Sequence, residues 1–237
     1  MTGNFPQPRA VLRRDASATI AAGAGTAFAV EQVNDLEQQS WRNVMSTHSV
    51  RATAEEKRRQ LPGDDLIVDP LASLTHAITV RCVPEQVWPW LAQMGAGRGG
   101  WYSYDAIDNG GQRSAERIIP ELQTIEVGYL FPWLPGASEG FSLLACEPGH
   151  ALVLGAPALG GSPVVTWAFV LEHGTGGTTR LIVRARGSRE YRFHGLPEWV
   201  TRGVVPPGHF VMQRKQLLGI ARRAELAAGV RQPALVL

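Results

Sequence analysis

Only two cysteines, Cys82 and Cys146, occur in the 237 residues, and both sit in apolar, strand-like segments. Two buried free thiols fit that setting, because a metal site needs more ligands at tighter spacing. The six histidines (His48, His76, His150, His173, His194 and His209) show no H-E-x-x-H or comparable pattern, so no metal is expected. His76 lies on an apolar strand face and reads as a satisfied core histidine. Charge of one sign is equally scarce. The 23 basic and 21 acidic residues leave a net charge of +2, which makes no nucleic-acid footprint. Long hydrophobic runs are missing too. The stretch "ASATIAAGAGTAFAV" (16–30) is mostly Ala and Gly, far short of the ~20 apolar residues that span a bilayer. Arg13-Arg14 before it and Ala27-Phe28-Ala29 within it resemble an export signal, but Asp15 follows the arginines at once. A cytoplasmic protein is the expectation; export or membrane association through residues 1–30 is the alternative.

What is present is an ordinary globular composition, 44% apolar and 19% charged. A chain this long buries roughly 70% of its unfolded surface and needs no staple to fold. Residues 31–60 carry helical signals, and "LPGDD" (61–65) ends them. "THAITVRC" (75–82) alternates as a strand does. "PEQVWPWLAQM" (84–94) has helical spacing, with Pro84 at the opening position and Pro89 predicting a kink or break. A short helix is expected over 103–109, and an irregular stretch with one strand at most over 118–136. Strands follow at 141–147, 150–155, 164–173 and 179–188, joined by short polar turns that predict antiparallel hairpins. The longest helical signal, 208–229, closes the chain with Phe210, Leu217, Ile220, Ala224 and Ala227 on one stripe. Gly219 in its middle costs ~1 kcal/mol against Ala and points to a close approach or a widened cavity. The order predicts an α+β fold, an antiparallel sheet with one long helix on one face and a pocket between them.

Two motifs invite wrong readings. Gly95-Ala-Gly97-Arg-Gly-Gly100 fits G-x-G-x-x-G, yet a helix precedes it and an aromatic run follows, the reverse of a dinucleotide turn. No cofactor is expected. Gly136-Ala-Ser138-Glu-Gly140 fits G-x-S-x-G but precedes a strand, so Ser138 reads as a turn residue.

Several segments in order carry a family resemblance: "LPGDDLIVDP…THAITVRCVPEQVWPWLAQMGAGRGGWYSYDAIDN", "SAERIIPELQTIEVGY", "CEPGHALVLG", "TWAFVLE", "TRLIVRARG" and "GHFVMQRKQLLGIARRAE". Over about residues 53–228 the chain resembles bacterial START-like (SRPBCC, polyketide cyclase/dehydrase-like) proteins. The resemblance implies a helix-grip fold, a curved antiparallel sheet around a long C-terminal helix, two short helices and an internal apolar cavity. One departure stands out: Gly128-Tyr129 and then "LFPW" replace the Gly-Asp that relatives tend to carry, adding Tyr129, Phe131 and Trp133. The division expected is an N-terminal extension (1–52), the helix-grip domain (53–230) and a tail (231–237).

The resemblance does not fix chemistry. One expectation is a cofactor-independent enzyme of cyclase or dehydratase type that templates a polyketide-like or other hydrophobic metabolite, with Tyr104, Asp105 and Glu116 as acid–base candidates. The other is a non-catalytic carrier or sensor of a lipid or small hydrophobic ligand. Either way, the residues expected at the ligand are Trp101, Tyr102, Tyr129, Trp133, Phe141, Trp167, Phe169, Arg184, Arg186, Phe210, Gln213 and Leu217. The two arginines serve as anion or carbonyl anchors only if they face the pocket; on a one-sided sheet they face water. For Tyr102, Tyr104 and Asp105 the plainer role is a hydrogen-bonded loop lock.

Overall fold

Alternating segments separated by polar turns of a few residues can only fold back on one another, and they do so in the computed structural model, which describes residues 49–157, 162–191 and 198–230. Six strands form one antiparallel sheet: β1 (Ala72–Val80), β2 (Leu130–Pro132), β3 (Gly140–Glu147), β4 (Ala151–Pro157), β5 (Pro163–His173) and β6 (Thr179–Gly187). Their order across the sheet is β1-β6-β5-β4-β3-β2. Strands two to six therefore make a meander, and β1 closes it by pairing with β6, Ala72 opposite Gly187. The described residues fall within one compact unit, Thr47–Ala234. The expectations for residues 1–48 and 231–237 lie outside the described residues.

Helices fill the remaining positions. α1 (Ala54–Arg58) opens on a capping box, in which Thr53 Oγ1 accepts from Glu56 N and Glu56 Oε2 accepts from Thr53 N. α2 (Pro84–Ala92) runs through Pro89 as a single helix. The proline forfeits one hydrogen bond, to the carbonyl of Glu85, an exposed residue that water can serve. α3 is one turn, Asp105–Asp108. α4 (Glu198–Ala227) is thirty residues long and begins ten residues before the sequence signal, continuing through Pro206 and Pro207. Pro207 and Gly203, whose carbonyl loses its amide partner, are both exposed.

The alternation of each strand divides the sheet into two faces. On the inner face Ile78, Val80, Leu152, Leu154, Phe169, Leu171, Leu181 and Val183 pack with Leu217, Ile220, Ala221 and Ala224 of α4. Each such side chain contributes about 1.5–3 kcal/mol by leaving water. Gly219 lets α4 approach: a Cβ there would collide with the carbonyl oxygen of Tyr102. Of the two roles expected for this glycine, the close approach is the one realised.

The outer face is covered by the segment leading into β1. Ala52 and Leu61 pack on Ala77 and Ile182. Beside them Arg184 is buried, 4% exposed, with all five guanidinium donors engaged. Its Nε donates to Thr75 Oγ1 at 3.0 Å, one terminal nitrogen donates to Arg59 O and to Asp64, and the other donates to Glu56 O and Lys57 O. It thus caps the C-terminal carbonyls of α1 while pairing with Asp64. Arg186 donates to Asp64 Oδ1 at 2.9 Å and to Asp64 O at 3.0 Å. Neither arginine faces the inner side. The alternation that sends Val183 and Ala185 inward sends Arg184 and Arg186 outward, so both leave the set of expected ligand contacts.

The cysteines also divide. Cys82, just past β1, is buried and its thiol is pushed up to about 11 by burial, whereas Cys146 on β3 is only half-buried; both are free.

Candidate functional site

The glycine loop positions the first wall of the site. Gly95 and Gly100 bond each other's backbone, N–H to carbonyl in both directions, which closes the loop on itself. The Gly97 amide donates to Asn109 Oδ1 at 3.0 Å. Those amides are spent within the protein and offer nothing to a phosphate. Gly95, Gly97 and Gly100 take positive φ, the conformation that requires glycine. Arg98, carried at the tip, donates to Ala92 O and Met94 O at the end of α2 and lies over the rings of Tyr129 and Phe131. The loop therefore locks α2 to the β2 edge and delivers Trp101 to the inner face.

There Trp101 stacks on Trp167 of β5 at 5.5 Å, with Phe141 of β3 edge-on to Trp101 at 6.0 Å and tilted against Trp167 at 5.4 Å. Trp133, on the loop after β2, meets Phe141 edge-to-face and stands half-exposed at the rim. These four rings line a cavity of about 200 Å³ between the sheet and α4. Met212, Gln213 and Gln216 face it from α4. Trp167 Nε1 donates to Gln213 Oε1 at 2.9 Å, and Gln213 Nε2 donates to Gln216 Oε1 at 2.7 Å.

Two ionisable groups share that lining, Asp108 from α3 and His209 from α4, with Ser103 beside them. Asp108 Oδ1 and His209 Nδ1 are buried and have no hydrogen-bond partner among the described residues. Burial pushes the Asp108 carboxyl up to about 6, with the nearby Asp105 charge adding to it and the Ser103 hydroxyl opposing it. Burial likewise drives the His209 imidazole down to about 4, helped by His76, whose ring stacks on it at 5.5 Å. His76 itself is shifted down by burial and by Lys57. Its Nε2 is buried without a partner among the described residues, so this histidine is not the satisfied one expected.

Of the residues expected at the ligand, Trp101, Trp133, Phe141, Trp167 and Gln213 line the cavity. Tyr102 does not: with φ of 58° it turns behind the loop into the core, edge-on to Trp90. Phe169 and Leu217 are buried one layer deeper. Tyr129 lies under Arg98, and Phe210 is 41% exposed beside His76. The acid–base candidates also fall elsewhere. Asp105 accepts from Ser114 Oγ at 2.5 Å and from Ser114 N at 3.1 Å, while Ser114 Oγ accepts from Tyr102 N. That is the loop lock. Glu116 is 58% exposed and pairs with Arg223 at 2.8 Å, and Tyr104 is exposed beneath Lys215. Asp108 and His209 escaped the sequence reading. For His209 a signal existed, since 209, 213 and 216 are spaced i, i+4, i+7 along one helix face. For Asp108 there was none to separate it from Asp105, one turn away.

Among the described residues no group of three or more His, Cys, Asp or Glu side chains is arranged to hold a metal ion, and no described helix is long and apolar enough to cross a membrane. No family model matches the chain, and no curated protein does. Solved structures similar to it include a protein from Nitrosomonas europaea (10% identity, TM-score 0.40, covering 68% of this chain and 99% of that one). A polyketide-cyclase-like protein from Corynebacterium glutamicum is similar at 14% identity and TM-score 0.32, over 69% of this chain and 91% of that one. A protein of the dynemicin biosynthetic locus matches at 15% identity and TM-score 0.37, over 66% and 48%. Likenesses this distant carry no argument about chemistry, which rests on the cavity itself.

Proposed function

We propose that this protein binds a small, ring-bearing, largely apolar molecule in the cavity between Trp101, Trp167 and α4. The observation that carries the reading is the combination of an aromatic wall with buried polar atoms left unpartnered, Asp108 Oδ1 and His209 Nδ1. An unmet buried polar group costs about 1–3 kcal/mol. A ligand that meets it regains that energy and adds ring contacts worth about 0.5–1.5 kcal/mol per pair. Aromatic lining with a few convergent polar groups is how small-molecule sites are built.

Turnover is the second reading, favoured by the titration of the same two groups. A carboxyl held near 6 and an imidazole held neutral, in one desolvated cavity, form a donor and an acceptor for proton transfer to a bound carbonyl compound. Cyclisation and dehydration both need such transfers, and the stacked walls would hold a flexible substrate in a reactive shape. The roles first assigned to Tyr104, Asp105 and Glu116 pass to Asp108 and His209.

Native mass spectrometry of the protein purified from its own host separates these readings. A retained small molecule, lost in Trp167→Ala and Trp133→Ala variants that melt cooperatively, supports binding. Wild type carrying a product and Asp108→Asn carrying its precursor, heavier by one water, supports turnover by dehydration. An empty wild-type protein that gains no adduct from host extract removes both.

A further inference from the structure

The cavity is rich in π faces and poor in positive charge. Trp101, Trp133, Phe141 and Trp167 present four rings, and the one acidic side chain among the described lining residues is Asp108. No arginine or lysine is among the described lining residues. Arg184 and Arg186, the side chains that would have anchored a carboxylate or an enolate, are committed to Asp64 and α1 on the opposite face of the sheet. His209 brings no charge to offset the acid near neutral pH, since burial holds its imidazole unprotonated. An anion entering this cavity would meet ring faces of negative potential and a carboxylate, with no counter-ion. A cation would meet both with attraction, because ring faces draw ammonium groups by about 0.5–2 kcal/mol and the gain grows as water is excluded.

We infer that the ligand of this cavity is a lipophilic amine: an apolar, ring-sized body carrying a protonated or alkylated nitrogen, which sits against the Trp101–Phe141–Trp167 rings with Asp108 as its counter-charge. The inference rests on the reading of the cavity as a ligand site and narrows its chemical class. Size agrees with it. A space of about 200 Å³ corresponds to roughly seven liquid-water volumes, enough for one ring with short substituents.

The test compares shape-matched probes on the wild-type protein at neutral pH, followed by tryptophan fluorescence: benzyltrimethylammonium, its uncharged carbon isostere neopentylbenzene, and phenylacetate. We expect the cation to bind at least tenfold more tightly than neopentylbenzene, and phenylacetate most weakly. In Asp108→Asn the advantage of the cation should fall to about threefold or less, while neopentylbenzene keeps its wild-type affinity. Equal affinities for the cation and its isostere, or tightest binding of phenylacetate, would overturn the amine class and leave the cavity standing as a site for another ligand. An undiminished cation preference in Asp108→Asn overturns the role of Asp108. Binding of none of the three overturns the inference and counts against the cavity reading as well. The comparison among probes is made on the unmodified protein, so it stands even if the variant fails to fold.

Discussion

The two faces of the sheet hold their polar groups differently. On the outer face Arg184, Asp64 and Arg186 are densely charged and almost closed off, and the guanidinium of Arg184 meets an acceptor with every donor, although Arg186 Nε beside it has no partner among the described residues. On the inner face, among the described residues, charges are few, and Asp108 Oδ1, His209 Nδ1 and His76 Nε2 have no partner. A completed guanidinium such as that of Arg184 specifies structure, whereas unpartnered polar atoms gathered around a cavity are candidates for contact with a ligand. By that criterion a buried arginine is weaker evidence of function here than a half-buried aspartate.

The contrast can be broken most severely at Arg184. Arg184→Met strips a largely buried Asp64 of one of its two guanidinium partners, leaving Arg186, and uncaps the α1 carbonyls; it should cost about 3–5 kcal/mol in urea unfolding. Ligand binding by the folded fraction should be unchanged; a selective loss of binding would erase the distinction between the faces. On the inner side, folding holds His209 deprotonated down to about pH 4, against an ordinary value of 6.5. Its lowered value means that folded protein is progressively destabilised as pH falls from about 6.5 towards 4, by on the order of 2–3 kcal/mol. His209→Leu should flatten that part of the stability–pH curve. Asp108, raised to about 6 from 3.8, acts with the opposite sign over nearly the same window: its penalty appears as pH rises from about 4 to 6 and vanishes in acid. Measuring both single variants separates the two slopes. A smaller effect is expected at Gly63, where φ is +84° and a Cβ would stand 2.6 Å from Val153 Cγ1. Gly63→Ala should lose about 1–3 kcal/mol by lifting the outer segment off β4. Smallest of all, Glu116→Gln weakens two pairs, with Arg222 and Arg223, at a solvent-exposed carboxylate, and should shift stability by less than about 1 kcal/mol and binding not at all.

The same contrast explains what could be read from the chain. Strand periodicity and short turns reported the meander because hairpin pairing is local. The role of Glu56, Arg59 and Asp64 could not be read, since their partner Arg184 lies more than a hundred residues away and no pattern near either end announces it. Aromatic positions were legible at Phe141 and Trp167 because large rings in an alternating strand have one face to occupy, and at Trp101 and Trp133 because each ring sits on a loop beside a glycine or proline turn. Which of two aspartates on a one-turn helix reaches the cavity was not: Asp105 and Asp108 differ by the rotation of α3, and only the position of Ser114 settles which is consumed. At α4 the sequence signal began only at 208, because sequence does not reveal that the carbonyl Pro207 abandons, that of Gly203, belongs to an exposed residue.

The run from Trp167 through Gln213 and Gln216 to the Met94 sulfur has a direction. It begins at an indole, which can only donate, and ends at a thioether, which can only accept. Neither glutamine amide can turn over alone without facing oxygen to oxygen or nitrogen to nitrogen. The two amides are therefore set as a unit and held from both ends: a ligand acceptor that captured the Trp167 N–H would release one end, while the Met94 sulfur would still hold the row in its present sense.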